Sequence, residues 1–228
     1  MHPRNLPSLT NQPRPSDSIV KLRVTKRNGE TEILNVHRGV LCKNSKFFQS
    51  AMKPEWTNLR EQPDTIDLPD DSPETVRDYV SWLYSGNLSI KLYKAGKDTV
   101  KKKAEKAEKV NVLLAEAYVF GEKIVDIKYK NKVVKTIVAA RESAVWNMGP
   151  ESVNIIYEGT PSESPLRRLV AERLAHEAYD DSQLGVGWMQ FVDGYPREAL
   201  VDAIKVMARV RRTVEYDITC VEPYLEKE

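Results

Sequence analysis

Between Val36 and Gly86 the chain reads VHRGVLCKNSKFFQSAMKPEWTNLREQPDTIDLPDDSPETVRDYVSWLYSG, and few folds accept that pattern. Val76, Tyr79, Val80, Leu83 and Tyr84 fall at i, i+3, i+4, i+7 and i+8, which is one buried stripe of a helix. Ser72 before Pro73 supplies the cap and first-turn residue that start it, and Gly86 supplies a left-handed stop. Upstream, Val40, Leu41, Phe47, Phe48 and Met52 recur at spacings of three and four. They predict two short helices with one buried face, the second capped by Ser45. Thr65-Ile66-Asp67-Leu68-Pro69 alternates briefly and ends on a proline, as a short strand does. Helices, strand and longer helix must therefore share one interior.

The flanks supply the rest of a small sheet. Ile19 to Val24 alternates strictly, with Val20, Leu22 and Val24 on the more apolar side. Lys26 to Glu30 holds Asn28-Gly29, the pair of a tight hairpin turn, and Thr31 to Val36 returns as a second strand. Asn87 to Leu92 predicts a further strand. Val110, Leu113, Leu114, Ala117, Tyr118 and Phe120 form a broad helical stripe, and Gly121 marks a break or a close helix approach. The next helix is expected from near Asp126, through Val133, Val134, Ile137 and Val138, to about Trp146.

Taken in order, VHRGVLCKNSKFF, the strand Ile66-Asp-Leu68-Pro-Asp70, WLYSG and the helix LLAEAYVFGEK resemble the BTB/POZ domain, in the form common among fungal proteins, over Ser16 to Val125. The resemblance implies an α/β (α+β) fold, a small β-sheet with clustered helices. His37, Leu41, Phe47, Phe48, Val76, Tyr79, Leu83 and Tyr84 are its core signature, the histidine serving the fold. The expected organisation is a Pro-rich disordered leader over 1–17, a BTB/POZ domain with its closing helices over 18–146 and a Lys-rich insertion at 93–109, and a helical annex over 147–228.

Within the annex, Pro150 to Tyr157 reads as a short helix. Thr160-Pro-Ser-Glu163 has capping-box form, and Ser164-Pro165 repeats the start signal one turn later. Leu166, Leu169, Val170 and Leu174 then share a face, with Arg167, Arg168, Glu172 and Arg173 largely opposite. A link from Leu184 to Gly194 carries Trp188, Met189 and Phe191. Pro196 opens a last helix whose inward residues are expected to be Leu200, Ile204, Met207 and Ala208. Short helices with short links make an antiparallel annex, and it resembles a short form of the helical extension that follows many BTB domains.

Function classes narrow by chemistry. Hydrophobic content of 41% and charged content of 30% fit a soluble globular chain with net charge +2. The apolar runs fall short of a membrane span and MHPRNLPSLT has no signal region, so the expected compartment is the cytoplasm or nucleus, with no membrane partner. Cys42 and Cys220 lie far apart and suggest no disulfide framework. His37 and Cys42, five residues apart, would lie on different helical faces, which speaks against a nucleophile pair. The histidines and cysteines lack zinc-ligand spacing, and Gly185-Val-Gly187 lacks the third glycine or lysine of a phosphate loop. Asp70-Asp71 directly before Ser72-Pro73 suits a helix N-terminus. The expectation is no catalytic, metal or cofactor site.

Lys94 to Lys109 holds seven lysines against three acids. It reads first as a solvated loop entering a helix, with a basic patch for nucleic acid as the alternative. Arg167, Arg168, Arg173, Arg209, Arg211 and Arg212 divide the same way, between a charged outer face and an acidic-partner surface.

BTB domains are protein-interaction modules; many form homodimers, and a subset recruits a cullin scaffold for ubiquitin transfer. The resemblance places that subset's hydrophobic-x-Glu motif on Leu59-Arg60-Glu61, between Phe48 and the strand at Ile66, with Trp56 as the competing apolar residue there. Leu59 would enter a partner groove and Glu61 would accept hydrogen bonds at its edge. Residues 1–17 show no helical stripe, against a swapped dimer. The expected function is a non-enzymatic interaction protein, a cullin-type ubiquitin ligase adaptor. The alternatives are a self-associating scaffold without cullin and a chromatin factor using the basic run at 94–109.

Overall fold

Alternation in IVKLRVT turns Val20, Leu22 and Val24 to one side, and all three are fully buried in strand β1 (Ile19–Thr25) of the computed structural model. The structure describes residues 12–25, 29–178 and 188–210. β1 pairs antiparallel with β2 (Thr31–His37), Val20 opposite Val36 and Thr25 opposite Thr31. Gly29 in the connection has φ +84°, and its expected partner Asn28 lies outside the described residues. On its other edge β1 pairs in parallel with β3 (Thr65–Leu68), giving the order β2-β1-β3. Parallel pairing needs a crossover, made here by the short helices α1 (Arg38–Leu41), α2 (Lys46–Ala51) and α3 (Pro54–Thr57).

Local capping explains the helix starts. Ser45 Oγ accepts the Phe48 amide at 3.1 Å, and Ser72 Oγ accepts that of Thr75 at 3.2 Å to open α4 (Pro73–Ser85). Gly86 ends α4 with φ +71°, its amide donating to the Trp82 carbonyl. Phe48, Val76, Tyr79 and Leu83 are buried together, and Phe47, Val80 and Tyr84 are partly buried against them. Asp17, the last residue of the expected leader, accepts the Gly39 amide at 2.8 and 2.9 Å, and residues 1–11 lie outside the described residues.

Asn87 to Leu92 forms no strand. The Asp78 carboxylate of α4 accepts the Ser89 and Ile90 amides at 2.5 and 3.3 Å, so those amides are bonded without a strand partner. The lysine run enters α5 (Val100–Lys123), capped by Thr99. Gly121 does not break α5; a Cβ there would lie 2.8 Å from Lys130 Cγ and 3.1 Å from Tyr129 Cδ1, so its bareness lets α6 (Ile127–Ala144) pack closely. Leu113, expected on the buried stripe, is exposed.

Val145 closes α6 at φ +51° and is 71% exposed. A β-branched residue is strained in that region and here has little burial to offset it. Val145→Gly is expected to raise stability by about 0.5–1 kcal/mol, the relieved strain exceeding the extra chain entropy of glycine. Urea unfolding reads this directly, and an unchanged or lower midpoint would count against it.

Beyond Val145 come α7 (Pro150–Gly159), α8 (Pro165–Glu177), α9 (Trp188–Phe191), a 3-10 turn at Val192–Gly194, and α10 (Arg197–Val210). One buried cluster continues from the sheet through α4, α5 and α6 to α7, α8 and α10. Several details depart from the sequence reading. The capping-box residue Thr160 ends α7, its hydroxyl donating to the Ile156 carbonyl at 2.6 Å, and the next helix starts from Ser164-Pro165. Arg167 is buried, 8% exposed, because backbone carbonyls of α7 need its donors. On α10, Ile204 is 62% exposed and Ala208 is exposed, while Ala199, Ala203 and Val206 face inward and Leu200 and Met207 are half-buried. The inward face leads with two alanines because α10 packs against α8, and small residues permit close approach. Leu184 to Gly187, Arg211, Arg212 and Cys220 lie outside the described residues, as does the Met189 side chain.

Candidate protein-interaction surface

The loop joining α2 to β3 is anchored at both ends and apolar at its tip. Arg38 Nη2 donates to the Met52 carbonyl at 2.7 Å, Pro54 starts α3, and the Thr65 amide and hydroxyl bond Gln62 at 3.0 and 3.1 Å. Between these anchors Arg60 turns inward, Nη2 donating to the Ala51 carbonyl at 2.9 Å. Its neighbours take the other side: Leu59 is 78% exposed and Glu61 is exposed. Trp56, three residues earlier on α3, is 58% exposed and so does not fill the core in place of Leu59. Two large apolar side chains on one short tethered segment, with a carboxylate beside them, have the composition of an anchor for a protein partner.

The neighbouring sheet face is charged and tied. Arg23 on β1 pairs with Asp67 on β3, and this hydrogen bond holds the Asp67 carboxyl below its ordinary value despite some desolvation. Ile33 on the outer face of β2 is exposed beside them in register with Arg23.

The signature residues tie the helices beneath this loop to the sheet. Tyr84 Oη bonds the His37 amide at 3.0 Å and Nδ1 at 2.8 Å, joining the end of α4 to the end of β2. Cys42 Sγ donates to the Phe48 carbonyl at 3.5 Å, and burial pushes its thiol pKa up. His37 and Cys42 are thus engaged by different partners, and a thiol raised in this way is a poorer nucleophile at neutral pH. Leu41 and Phe48 are fully buried.

Asp71 pairs with Lys123 at 2.7 Å beside the start of α4. In the basic run Lys106 bonds Asp98 at 2.8 Å and lies over the Tyr93 ring, while Lys101, Lys102 and Lys109 are exposed. Among the described residues no cluster of histidine, cysteine or acidic side chains could hold a metal ion, and no helix is long and apolar enough to cross a membrane.

A feature that the sequence did not mark is an open cavity of about 860 Å³ bordered by residues of α5, α6, α7, α8 and α9. Its walls are contributed by residues from Lys101 to Tyr195, so no local spacing could have signalled it.

Compared with known families, residues 11–137 match the model of the BTB/POZ domain. None of the curated proteins compared with the chain matches it.

Proposed function

The chain belongs to the BTB/POZ family, a family of protein–protein interaction modules, and from that premise we propose that it is a substrate adaptor recruiting a cullin scaffold through Leu59 and Glu61. The observation that carries this reading is the division of labour at the loop: Arg60 is held inward by Ala51 while Leu59 stands out in solvent. An apolar side chain exposed at the tip of a tethered loop is available to fill a partner's groove, and Glu61 can accept hydrogen bonds at the rim. Trp56 on α3, three residues before Leu59, is a second exposed apolar side chain of the same segment.

A self-associating scaffold is the second reading, favoured by β2, which is an edge strand carrying exposed Ile33. Retention on an immobilised cullin N-terminal domain separates the two. The wild-type chain should be retained, and Leu59→Ala combined with Glu61→Ala should weaken binding about tenfold or more, as loss of a central anchor does. No retention of the wild type, or equal retention of the variant, would defeat the adaptor reading. Size-exclusion chromatography with light scattering then tests the scaffold.

A further inference from the structure

Two neighbouring elements carry cations with no acid of their own to neutralise them. From Asn87 to Lys97 the connection between α4 and α5 holds Lys91, Lys94 and Lys97 and no acidic residue. From Ile127 to Arg141, α6 holds four lysines and an arginine and again no acidic residue. Two of these α6 cations are committed, Lys130 to Glu122 and Arg141 to Glu177. Lys128, Lys132 and Lys135 remain, and their spacing puts them within about 60° of one another around the helix. Lys128 and Lys135 are exposed, and Lys132 donates to the neutral Asn87 Oδ1 at 3.2 Å. The connection lies alongside this stripe. Asn87 meets Lys132 at one end; at the other the Tyr93 carbonyl accepts the Ser143 hydroxyl at 2.9 Å, and the Ala95 amide donates to the Ser143 carbonyl at 3.0 Å. Leu88, Ile90 and Leu92 pack against the core, which turns Lys91 outward, and Lys94 and Lys97 are exposed with it. Among the described residues none of Lys91, Lys94, Lys97, Lys128 and Lys135 pairs with a carboxylate. Of the nearby acids, Asp98 is held by Lys106 at 2.8 Å, Glu105 is exposed on α5, and Glu142 is exposed about two turns beyond Lys135.

Like charges one turn apart on a helix repel, and a face that serves only solubility intersperses both signs. We propose that this lysine face binds the phosphate backbone of double-stranded DNA without regard to sequence. The stripe covers about 10 Å of helix axis. A duplex presents a phosphate charge about every 1.7 Å of its own axis, so several phosphates fall opposite the lysines, and each one neutralised releases its counterions. A single strand is served less well, because its bases need exposed rings to stack on. Tyr93 donates to Asp98 and lies under Lys106, and Tyr129 is buried. A membrane surface is served less well too, because the apolar side chains of the connection turn inward, and exposed Ile127 lies about 100° around α6 from Lys128. None of these lysines belongs to the Trp56–Glu61 segment, so the face stands whether or not that loop binds cullin.

Fluorescence anisotropy of a labelled duplex of about 20 base pairs, titrated with the full chain at about 50 to 200 mM NaCl, tests the proposal. Binding should saturate at the lowest salt, and log affinity should fall against log salt with a slope of about −3 to −5. Lys128→Gln, Lys132→Gln and Lys135→Gln together should weaken binding about tenfold or more at the lowest salt and make the slope shallower by about 2–3. Lys91→Gln with Lys94→Gln should act in the same direction. Lys21→Gln, Lys46→Gln and Lys53→Gln together remove the same charge from exposed positions on β1, on α2 and before α3, and should leave affinity and slope unchanged. Circular dichroism on each variant separates loss of the face from loss of the fold. If the α6 triple variant is unfolded, Lys128→Gln and Lys135→Gln taken singly should each make the slope shallower by about 1. No saturable binding at the lowest salt, a slope near zero, or an equal loss in the Lys21, Lys46 and Lys53 variant would each overturn the proposal. Vesicles of phosphatidylcholine and phosphatidylserine that bind the chain as tightly as the duplex at equal salt would overturn it in favour of a membrane surface.

Discussion

Arg167→Met is expected to lower the stability of the fold by about 3–5 kcal/mol, read as a shift in the urea midpoint at constant slope. The guanidinium donates to the carbonyls of Tyr157 and Thr160 and to Thr160 Oγ1 at 3.1 Å, and it lies over the Tyr157 ring with 4.6 Å between the guanidinium carbon and the ring centre. Those carbonyls belong to the last turn and cap of α7, where a helix leaves its oxygens without internal donors and carries its negative dipole end. Arg167 therefore acts as the terminator of α7 delivered from α8. Methionine fills much of the same volume but leaves the carbonyls buried without donors. The ion pair of Arg167 with Glu198, at 2.8 Å, matters less because Glu198 is exposed to water. Glu198→Gln should accordingly cost under about 1 kcal/mol. Arg167→Lys keeps the charge but has no planar fork to reach several oxygens at once, so it should recover less than half of the loss. A methionine variant within about 1 kcal/mol of wild type would show that the carbonyls find other donors.

The contrast between α4 and α10 shows what the amino-acid sequence could and could not reveal. In α4 the cap, the proline, the apolar spacing and the closing glycine all point the same way, and Val76, Tyr79 and Leu83 are buried as spaced. In α10 the larger side chains suggested one face, but close packing on α8 selects Ala199 and Ala203 and leaves Ile204 in water. Periodicity weighs hydrophobicity, whereas close helix approach selects for size. Arg167 reads as an outer-face residue for a related reason: a charge is expected in water unless its partners are known, and those come from other elements. The stretch Asn87 to Leu92 alternates like a strand, yet a carboxylate from α4 takes its amides. At the candidate site the Leu59-Arg60-Glu61 motif was legible through resemblance, but the inward turn of Arg60 that leaves Leu59 outside is a tertiary fact.

Asp78→Ala should be as damaging as loss of Arg167, costing about 3–5 kcal/mol, because it orphans three donors at once. Asp78 is buried on α4, where Oδ2 accepts the Tyr129 hydroxyl at 2.9 Å and Oδ1 accepts the Ser89 and Ile90 amides. One side chain thus pins α6 and the segment leading to α5 onto the central helix. Beside it Tyr79 donates to Asp126 at 3.0 Å, and the Tyr79 and Tyr129 rings meet edge to face, so a displaced Tyr129 would disturb both pairs. Burial raises the Asp78 pKa above its ordinary value, and the hydrogen bonds from Tyr129, Ser89 and Ile90 only partly oppose that. The sign for stability follows. Between the unfolded and the folded pKa the native chain binds more protons, so this group's contribution is largest below the unfolded value and falls as pH rises through the folded one. Asp78→Asn removes the titration while keeping an oxygen for the Ser89 amide and an NH2 that the Tyr129 hydroxyl can accept from. It should be milder than the alanine variant. The stability of wild type relative to Asp78→Asn should decline as pH is raised from about 4. Urea midpoints of the three proteins across that range measure both effects. A difference that stays flat with pH, or an alanine variant that loses under about 1 kcal/mol, would mean that the carboxylate is solvated and does not hold these elements together, whereas a difference that grows with pH would mean that the hydrogen bonds outweigh burial and hold the folded pKa below the unfolded one.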